Sequence, residues 1–370
     1  MSAAPALSTP AGRVLARLAR ERAALAALAV LVSIGLACLI GPGLTGHDPE
    51  RAYPDLRQLS AGLRVQPDAD HLAPALERLA FRMRARLDAV ERDGDTLRLT
   101  LGSDAGVDRR SLVYLPRSAL FAPPTIVEAR DEGRSLVVTV PIRHLHFPLG
   151  TDVQGRDLLT RCLVAGRVSL AIGIAASLVA LLIGVAYGAT AGFIGGAVDA
   201  VMMRVVDVFY ALPFVFFVIL LLVFFRPSLL LMLVAIAAVE WLDMARVVRA
   251  QTLSLRERDF VRAARALGIG TPRILFHHIV PNTLGPVAVT VTLLVPQVIL
   301  LESFLSFLGL GVQEPQTSWG LLIAEGARAI EAAPHMLAAP AAFLILTLVA
   351  LNLLGDGLAD ALDPRAGSST

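Results

Sequence analysis

The sequence predicts an all-α polytopic membrane protein of six transmembrane helices, with a small α+β extracytoplasmic domain inserted between the first and second spans. Three observations predict it. Mean hydropathy is +0.67 and hydrophobic residues make up 55% of the 370, so several runs reach the roughly 20 apolar residues that cross a bilayer. One stretch, residues 43–150, breaks that pattern: its 15 arginines balance 15 acids, and proline and glycine punctuate it. The remaining arginines segregate, with 13 in the segments placed inside and only Arg226 and Arg328 in the short outside loops, as the positive-inside bias requires.

Composition excludes some chemistry. All 33 basic residues are arginine, and a Walker-type phosphate loop needs its lysine on the β- and γ-phosphates. The chain therefore carries no nucleotide site of that type. A net charge of +2 does not mark a nucleic-acid partner; the apolar runs imply the lipid bilayer as partner. Cys38 and Cys162 have neither metal-ligand spacing nor the pattern of a disulfide framework. No cofactor is implied.

Residues 1–22 form a tail bearing Arg13, Arg17, Arg20 and Arg22, placed inside. Residues 23–42 are the first span. Its apolar run is longer than the core of a signal peptide and further spans follow, which favours an uncleaved anchor. In the inserted domain, residues 71–90 predict an amphipathic helix with Leu72, Leu76, Leu79, Met83, Leu87 and Val90 on one face. Alternating segments at 96–101, 111–115, 125–129 and 135–141 predict strands. His144 and His146 share a strand face, but without a third ligand they define no metal site. Arg156, Arg161 and Arg167 sit just outside the second span, which predicts an amphipathic helix at the outer interface.

The second span is predicted at about 164–190, and a short loop holding Gly192, Gly195, Gly196 and Asp199 follows. The third is predicted at about 205–225, the fourth at 229–248, the fifth at 283–308 with Pro286 and Pro296 inside it, and the sixth at 336–355. Both termini fall inside. Gly173, Ala176, Ala180, Gly184 and Gly188 have small-xxx-small spacing, which suits packing within the subunit or against a partner. Glu240, Asp243, Glu302 and Asp356 lie at or near span ends, and an ionisable residue in a span is a functional candidate. Glu302 is the candidate for a translocation path.

Between the fourth and fifth spans runs a polar stretch, residues 246–281. Seven arginines (Arg246, Arg249, Arg256, Arg258, Arg262, Arg265, Arg273) face two acids, Glu257 and Asp259. Such a segment is a cytoplasmic loop. Phe260, Ala263, Ala264 and Leu267 recur at helical spacing until Gly268 and Gly270 break the pattern. The reading is a short amphipathic helix, a turn, and a second short helix from Pro272 to about Val280. By itself this composition fits a loop that only fixes topology as well as it fits a docking element.

Here the residues resemble a known family: the second permease subunit of ABC importers for dipeptides, oligopeptides and nickel. The family's cytoplasmic loop signature is Glu-Ala-Ala, three residues, Gly, and Ile/Leu-Pro about a dozen residues on. The matching positions are Ala263, Ala264, Gly268, Ile279, Val280 and Pro281; Arg262 stands where the family has Glu. Six further strings resemble the same subfamily: PLGTDVQGRD at 148–157, GRVSL at 166–170, GFIGGAVDAVMMRVVDVFYALP at 192–213, ESFLSFLGLG at 302–311, SWG at 318–320 and NLLGDGLADALDPR at 352–365. The resemblance covers residues 148–365 and the first span, but not residues 43–147.

The resemblance implies a division at 1–42 (tail and first helix), 43–147 (inserted domain), 148–365 (five-helix permease core with a coupling loop at 249–281) and 366–370 (tail). It implies a subunit of a bacterial inner-membrane importer that forms half of a pathway for peptides or a related solute and is not itself an enzyme. The implied partners are a homologous permease as heterodimer, two cytoplasmic ATPase subunits and an extracytoplasmic solute-binding protein. The loop's short helix would dock on an ATPase subunit through Ala263, Ala264 and Gly268, rimmed by Arg262 and Arg265. Nickel, sugars and opines are other cargoes of such importers. A self-sufficient secondary transporter or channel is the competing class, although neither clear repeats nor mid-span ionisable residues mark it.

Overall fold

The computed structural model describes residues 16–62, 64–65, 69–118, 120–143, 145–225 and 228–362. Arg13, His144, Arg226, Arg365 and the 366–370 tail lie outside the described residues. In chain order the helices are α1 (Arg22–Leu44), α2 (Ala69–Met83), α3 (Leu158–Ile194), α4 (Gly196–Ala211), α5 (Phe214–Phe224), α6 (Leu229–Arg256), α7 (Asp259–Ala266), α8 (Thr271–Phe307), α9 (Trp319–Arg328) and α10 (His335–Leu362). The chain divides into two compact units. One holds the described residues of Met1–Gly41, Cys162–Ala324 and Pro340–Thr370; the other holds those of Pro42–Arg161 and Glu325–Ala339.

In the helical unit, α1, α3, α8 and α10 are long and apolar enough to cross a membrane, and α4 with α5 makes a fifth candidate as a broken pair. In hydrocarbon a helix is the form in which a single segment satisfies its own backbone polar groups. The protein is a mostly helical polytopic membrane protein. Several expected boundaries move. The continuous third span at 205–225 is replaced by α4 and α5, whose axes differ by 81°. Pro213 causes the break: its ring forces the preceding residue out of the helical region, and Leu212 has ψ 128°. The loop expected around Gly192–Asp199 shrinks to a kink, because Gly192 ends up inside α3 and Asp199 in the first turn of α4. Helix α6 has 28 residues, but Glu240, Asp243 and Arg246 keep it out of the apolar set.

The small residues of α3 are used inside the chain. A Cβ on Gly173 would lie 2.5 Å from Ile299 of α8, and one on Gly184 would lie 2.5 Å from Met244 of α6. Gly188 faces Ala245, and Gly192 faces Arg249 and Thr252. Ala176 and Ala180 are fully buried. Of the two packing partners the spacing allowed, the structure has the intrasubunit one, with α3 laid closely along α6.

The second unit holds a four-stranded antiparallel sheet of order β2-β3-β5-β4, formed by β2 (Arg86–Asp93), β3 (Thr96–Gly102), β4 (Thr125–Arg130) and β5 (Ser135–Pro141). A two-stranded pair joins β1 (Arg64–Val65) to β6 (Leu145–His146). Alternation on β3 turns Leu97, Leu99 and Leu101 inward, where they join Leu136, Val138 and Val140 of β5 and Leu76, Leu79 and Met83 of α2 in one core. Two expectations fail here. The helix predicted to Val90 stops at Met83, the chain turns at Arg84 (φ +54°), and Leu87 and Val90 belong to edge strand β2. The strand predicted at 111–115 is helical instead, a 3-10 segment (Arg109–Val113) running into one turn, Tyr114–Arg117.

Of the three arginines expected on an interfacial helix before the second span, Arg167 is exposed on α3 and donates to Cys38 O and Leu39 O at 2.6 and 2.7 Å, while Arg156 and Arg161 are buried instead. Asp152, fully buried, accepts from Arg156 Nε at 2.6 Å and Arg161 Nη1 at 2.6 Å, and from the backbone of Gln154 and Arg156 at 2.8 Å. Arg161 Nη1 also pairs with Glu325 at 2.7 Å. Arg161 already lies in the first turn of α3. Cationic side chains this deep require paired acids, and the TDVQGRD string supplies them.

Candidate functional site

The cationic stretch is not a free loop. Helix α6 runs to Arg256, and Arg258 precedes α7 with extended ψ 150°. Asp259 stands in the first turn of α7 and Arg265 in the last, the polarity that a helix dipole favours. The helix closes on a Schellman turn: Gly268 N donates to Arg265 O at 3.0 Å and Ile269 N to Ala264 O at 3.1 Å. Gly268 adopts φ +74°, the left-handed conformation this cap requires and a β-carbon resists.

After the turn the structure departs from the expected second short helix. Thr271 opens α8, a helix of 37 residues, so the segment after Gly270 is the beginning of a span. Its first turns include a wide π segment, Leu275–Ile279. Pro281 explains the irregularity, since it cannot donate to the carbonyl of residue 277. Asn282 Nδ2 donates to His278 O at 2.6 Å, satisfying a neighbouring carbonyl with a side chain.

Burial sorts the predicted coupling residues. Ala264 and Val261 face the helical core, with Ile274, Leu275 and Ile279. Ala263 is exposed, as are Phe260 at 41% and Leu267 at 80%. Ala264 is therefore small for its own chain's packing and Ala263 is the open position, while Pro281 is exposed and Ile279 is not. Arg262 is exposed and pairs loosely with Glu257 at 3.8 Å, whereas Arg265 lies over the Phe193 ring at 4.9 Å. Other arginines of the stretch anchor it: Arg249 holds Asp199 by two hydrogen bonds, 2.5 and 2.6 Å, and Arg256 reaches Gly192 O at 3.2 Å. Arg246 pairs with Asp207 at 3.0 Å and covers the Tyr210 ring at 4.3 Å.

Glu302 lies far along α8 and is fully buried. Its Oε1 accepts from Ser306 at 2.7 Å, and its Oε2 accepts from Ser169 of α3 at 3.0 Å and Ser303 at 3.4 Å. Ser306 also lies 3.3 Å from Ser318, which caps α9 by accepting from Leu321 N. Trp319 N donates to Ser169 at 3.2 Å, and its indole donates to Cys162 O at 3.0 Å. Gly320 permits this approach: a Cβ there would lie 2.5 Å from Ser303 O. The strings GRVSL, ESFLSFLGLG and SWG thus meet on one carboxylate. Sequence reading singled out Glu302 but not Ser169, Ser306 or Ser318; nothing in chain order ties Ser169 to hydroxyls 137 and 149 residues further on. Cys38 and Cys162 are both free and buried.

Apolar helices of spanning length with a basic helix–turn element anchored to them define a polytopic membrane protein. Residues 170–368 match the family of the binding-protein-dependent transport system inner membrane component, and residues 9–74 match the N-terminal TM domain of oligopeptide transport permease C. The chain belongs to the binding-protein-dependent transport system inner membrane components. It is 52% identical over 259 residues, 69% of this chain and 86% of the relative, to the oligopeptide transport system permease protein OppC of Escherichia coli K12. To the OppC protein of Salmonella typhimurium it is 58% identical over 216 residues, 58% of this chain and 72% of the relative. The dipeptide transport system permease protein DppC of Bacillus subtilis is 46% identical over 217 residues, 58% of this chain and 68% of the relative. The chain is a permease subunit of an ABC importer and a multi-pass protein of the bacterial inner membrane. ATP hydrolysis lies on separate subunits, and such a system includes ATPase and solute-binding partners. The reading as a self-sufficient transporter or channel is not favoured.

Proposed function

We propose that this permease forms half of a translocation pathway for oligopeptides, paired with a homologous permease, and that α7 is the handle by which a cytoplasmic ATPase subunit moves it. The observation that carries the proposal is the two-sided burial of α7. Val261 and Ala264 fasten the helix to its own core, while Phe260, Ala263 and Leu267 stay exposed. A handle needs both faces: one to receive a push and one to transmit it. Transmission is stiff, because the Gly268 turn leads at once into the 37-residue α8. Arg258, Arg262 and Arg273 are exposed around the element and suit an acidic partner surface.

Six crossings follow if α1, α3, the α4–α5 pair, α6, α8 and α10 each span. Helix α6 has 28 residues, about 42 Å at helical rise, so its charged half can leave the bilayer. Both termini and the 249–281 coupling loop are then cytoplasmic, and the 43–147 domain is extracytoplasmic, where the solute-binding protein docks. The oligopeptide and dipeptide permeases among the relatives support peptide cargo over nickel. With Glu302 sealed among serines, its role in the path is to brace the helices that form it.

Cysteine crosslinking in the assembled transporter tests the handle. Cysteine at Ala263 or Leu267 is expected to crosslink to an ATPase subunit, and cysteine at buried Val261 is not. Labelling of Leu267→Cys by a membrane-impermeant thiol reagent from outside, or absence of any ATPase crosslink through turnover, sinks the proposal.

A further inference from the structure

Arginines of the cationic stretch land on the string GFIGGAVDAVMMRVVDVFYALP at 192–213. Arg246 pairs with Asp207 at 3.0 Å and covers the Tyr210 ring. Arg249 holds both carboxylate oxygens of Asp199. Arg256 Nη1 donates to Gly192 O at 3.2 Å, and the Arg265 guanidinium lies 4.9 Å from the centre of the Phe193 ring. Positions rising from 246 to 256 thus meet positions falling from 210 to 192, an antiparallel clasp. Arg246, Arg249 and Arg256 belong to α6. Arg265 belongs to α7, so its contact with Phe193 ties the handle itself to the string. Arg262 on the same helix pairs loosely with Glu257 at 3.8 Å, outside the string.

The receiving end of the clasp is a joint. Helix α3 ends at Ile194 and α4 begins at Gly196. Gly195 and Gly196 take φ +72° and +58°, a left-handed pair that residues with a β-carbon resist. A β-carbon on Gly195 would also run into Arg256 Nη1. Motion between packed helices is absorbed by a few residues at element ends, and this pair stands at such an end. Helix α4 has 16 residues and meets the 81° break to α5 at its far end, so it has a bend at each end. Phe193, 5% exposed, directly precedes the joint and packs in one core with Val261 and Ala264 of α7. A guanidinium over an aromatic face is attracted by the ring quadrupole, so Arg265 and Phe193 move as a pair.

We propose that the handle has two outputs: one through the Gly268 turn into α8, the other through Arg265 on Phe193 into the α3–α4 joint. Arg265 is the positioning residue that turns α4 when α7 is moved. The inference rests on α7 being the handle.

The test uses the assembled transporter with cysteine-free partner subunits. Bimane is placed at Val198→Cys on α4 or at Leu284→Cys on α8, both exposed positions; Cys38 and Cys162 are buried and take no label. Fluorescence is read before and after Mg²⁺ and a non-hydrolysable ATP analogue are added. The change at Val198→Cys should fall about threefold or more in Arg265→Gln and in Phe193→Leu, and stay within about twofold in Arg265→Lys and Phe193→Tyr, which keep a cation over a ring. The double variant Arg265→Gln with Phe193→Leu should fall no further than either single, as for two residues that act as one contact. The change at Leu284→Cys should stay within about twofold throughout, because that output runs through the chain and not through the ring. Arg265 is exposed, so its two variants leave the core intact and carry the test if Phe193→Leu loses yield. The proposal is overturned by a silent probe at either position in the parent, by an undiminished change at Val198→Cys in Arg265→Gln, or by an equal fall at both probes, which makes Arg265 an ATPase contact. Failure of the handle reading shows separately, as a missing ATPase crosslink at Leu267→Cys, and takes this inference with it.

Discussion

Among the carboxylates buried completely in the described residues, Asp152 and Glu302 are kept in opposite ways. Asp152, in the unit with the sheet, is held by counter-charge: Arg156 and Arg161 reach it at 2.6 Å each. Glu302, in the helical unit, is held by neutral hydroxyls from Ser169, Ser303 and Ser306. The difference teaches what each site can tolerate. At Asp152 the acid and the two arginines compensate one another, with Glu325 also on Arg161. At Glu302 the serines need an acceptor, but no cation depends on it. The first is an electrostatic knot at the entrance to α3; the second is a hydrogen-bonded brace between α3, α8 and the start of α9.

The largest expected effect breaks the knot. Asp152→Ala leaves Arg156 and Arg161 buried without their shared partner and should cost about 3–5 kcal/mol, read as a large drop in thermal unfolding temperature of the purified chain. Asp152→Asn should be nearly as damaging, because shape is kept and charge is lost. The Glu302 pair of variants sharpens the contrast. Glu302→Ala strands two or three hydroxyls and should cost about 1–3 kcal/mol, whereas Glu302→Gln keeps an acceptor and should recover most of that in the same assay. Equal losses for Glu302→Gln and Glu302→Ala would mean that the carboxylate's charge is needed, and the distinction between the sites would fall.

The smallest effect lies at the turn of the proposed handle. Gly268→Ala forces a β-carbon into φ +74° and should cost about 1–2 kcal/mol, confined to the cap. Amide exchange at Ile269, whose N–H closes the Schellman turn, should accelerate while amides of α3 do not. A global loss of protection instead would show that α7 and its turn are integral to the helical core.

Much of the helical plan was legible because membrane burial writes itself in composition. Apolar runs long enough to span exposed α1, α3, α8 and α10, and alternation exposed β3 and β5 to within a residue. The misreadings have local causes. Residues 84–90 carry an apolar set that fits a helix as well as a strand, and the left-handed Arg84 decided it. Pro213 was visible, but whether a proline kinks a span or breaks it depends on its neighbours. On α7, Ala263 and Ala264 look alike in sequence; one faces solvent and the other the core.

The sequence by itself determined that this is a multi-spanning chain without a phosphate-loop lysine, with an arginine-rich element before the fifth predicted span and a polar domain after the first. These follow from what each residue type tolerates in water or hydrocarbon, a property that needs no partner. Only the tertiary structure decided which groups meet: Asp152 with Arg161, Glu302 with Ser169, Gly184 with Met244, and Arg265 with Phe193. Hydrogen bonds, ion pairs and close packing act over a few ångströms, and residues that distant in the chain come within that range only once it has folded.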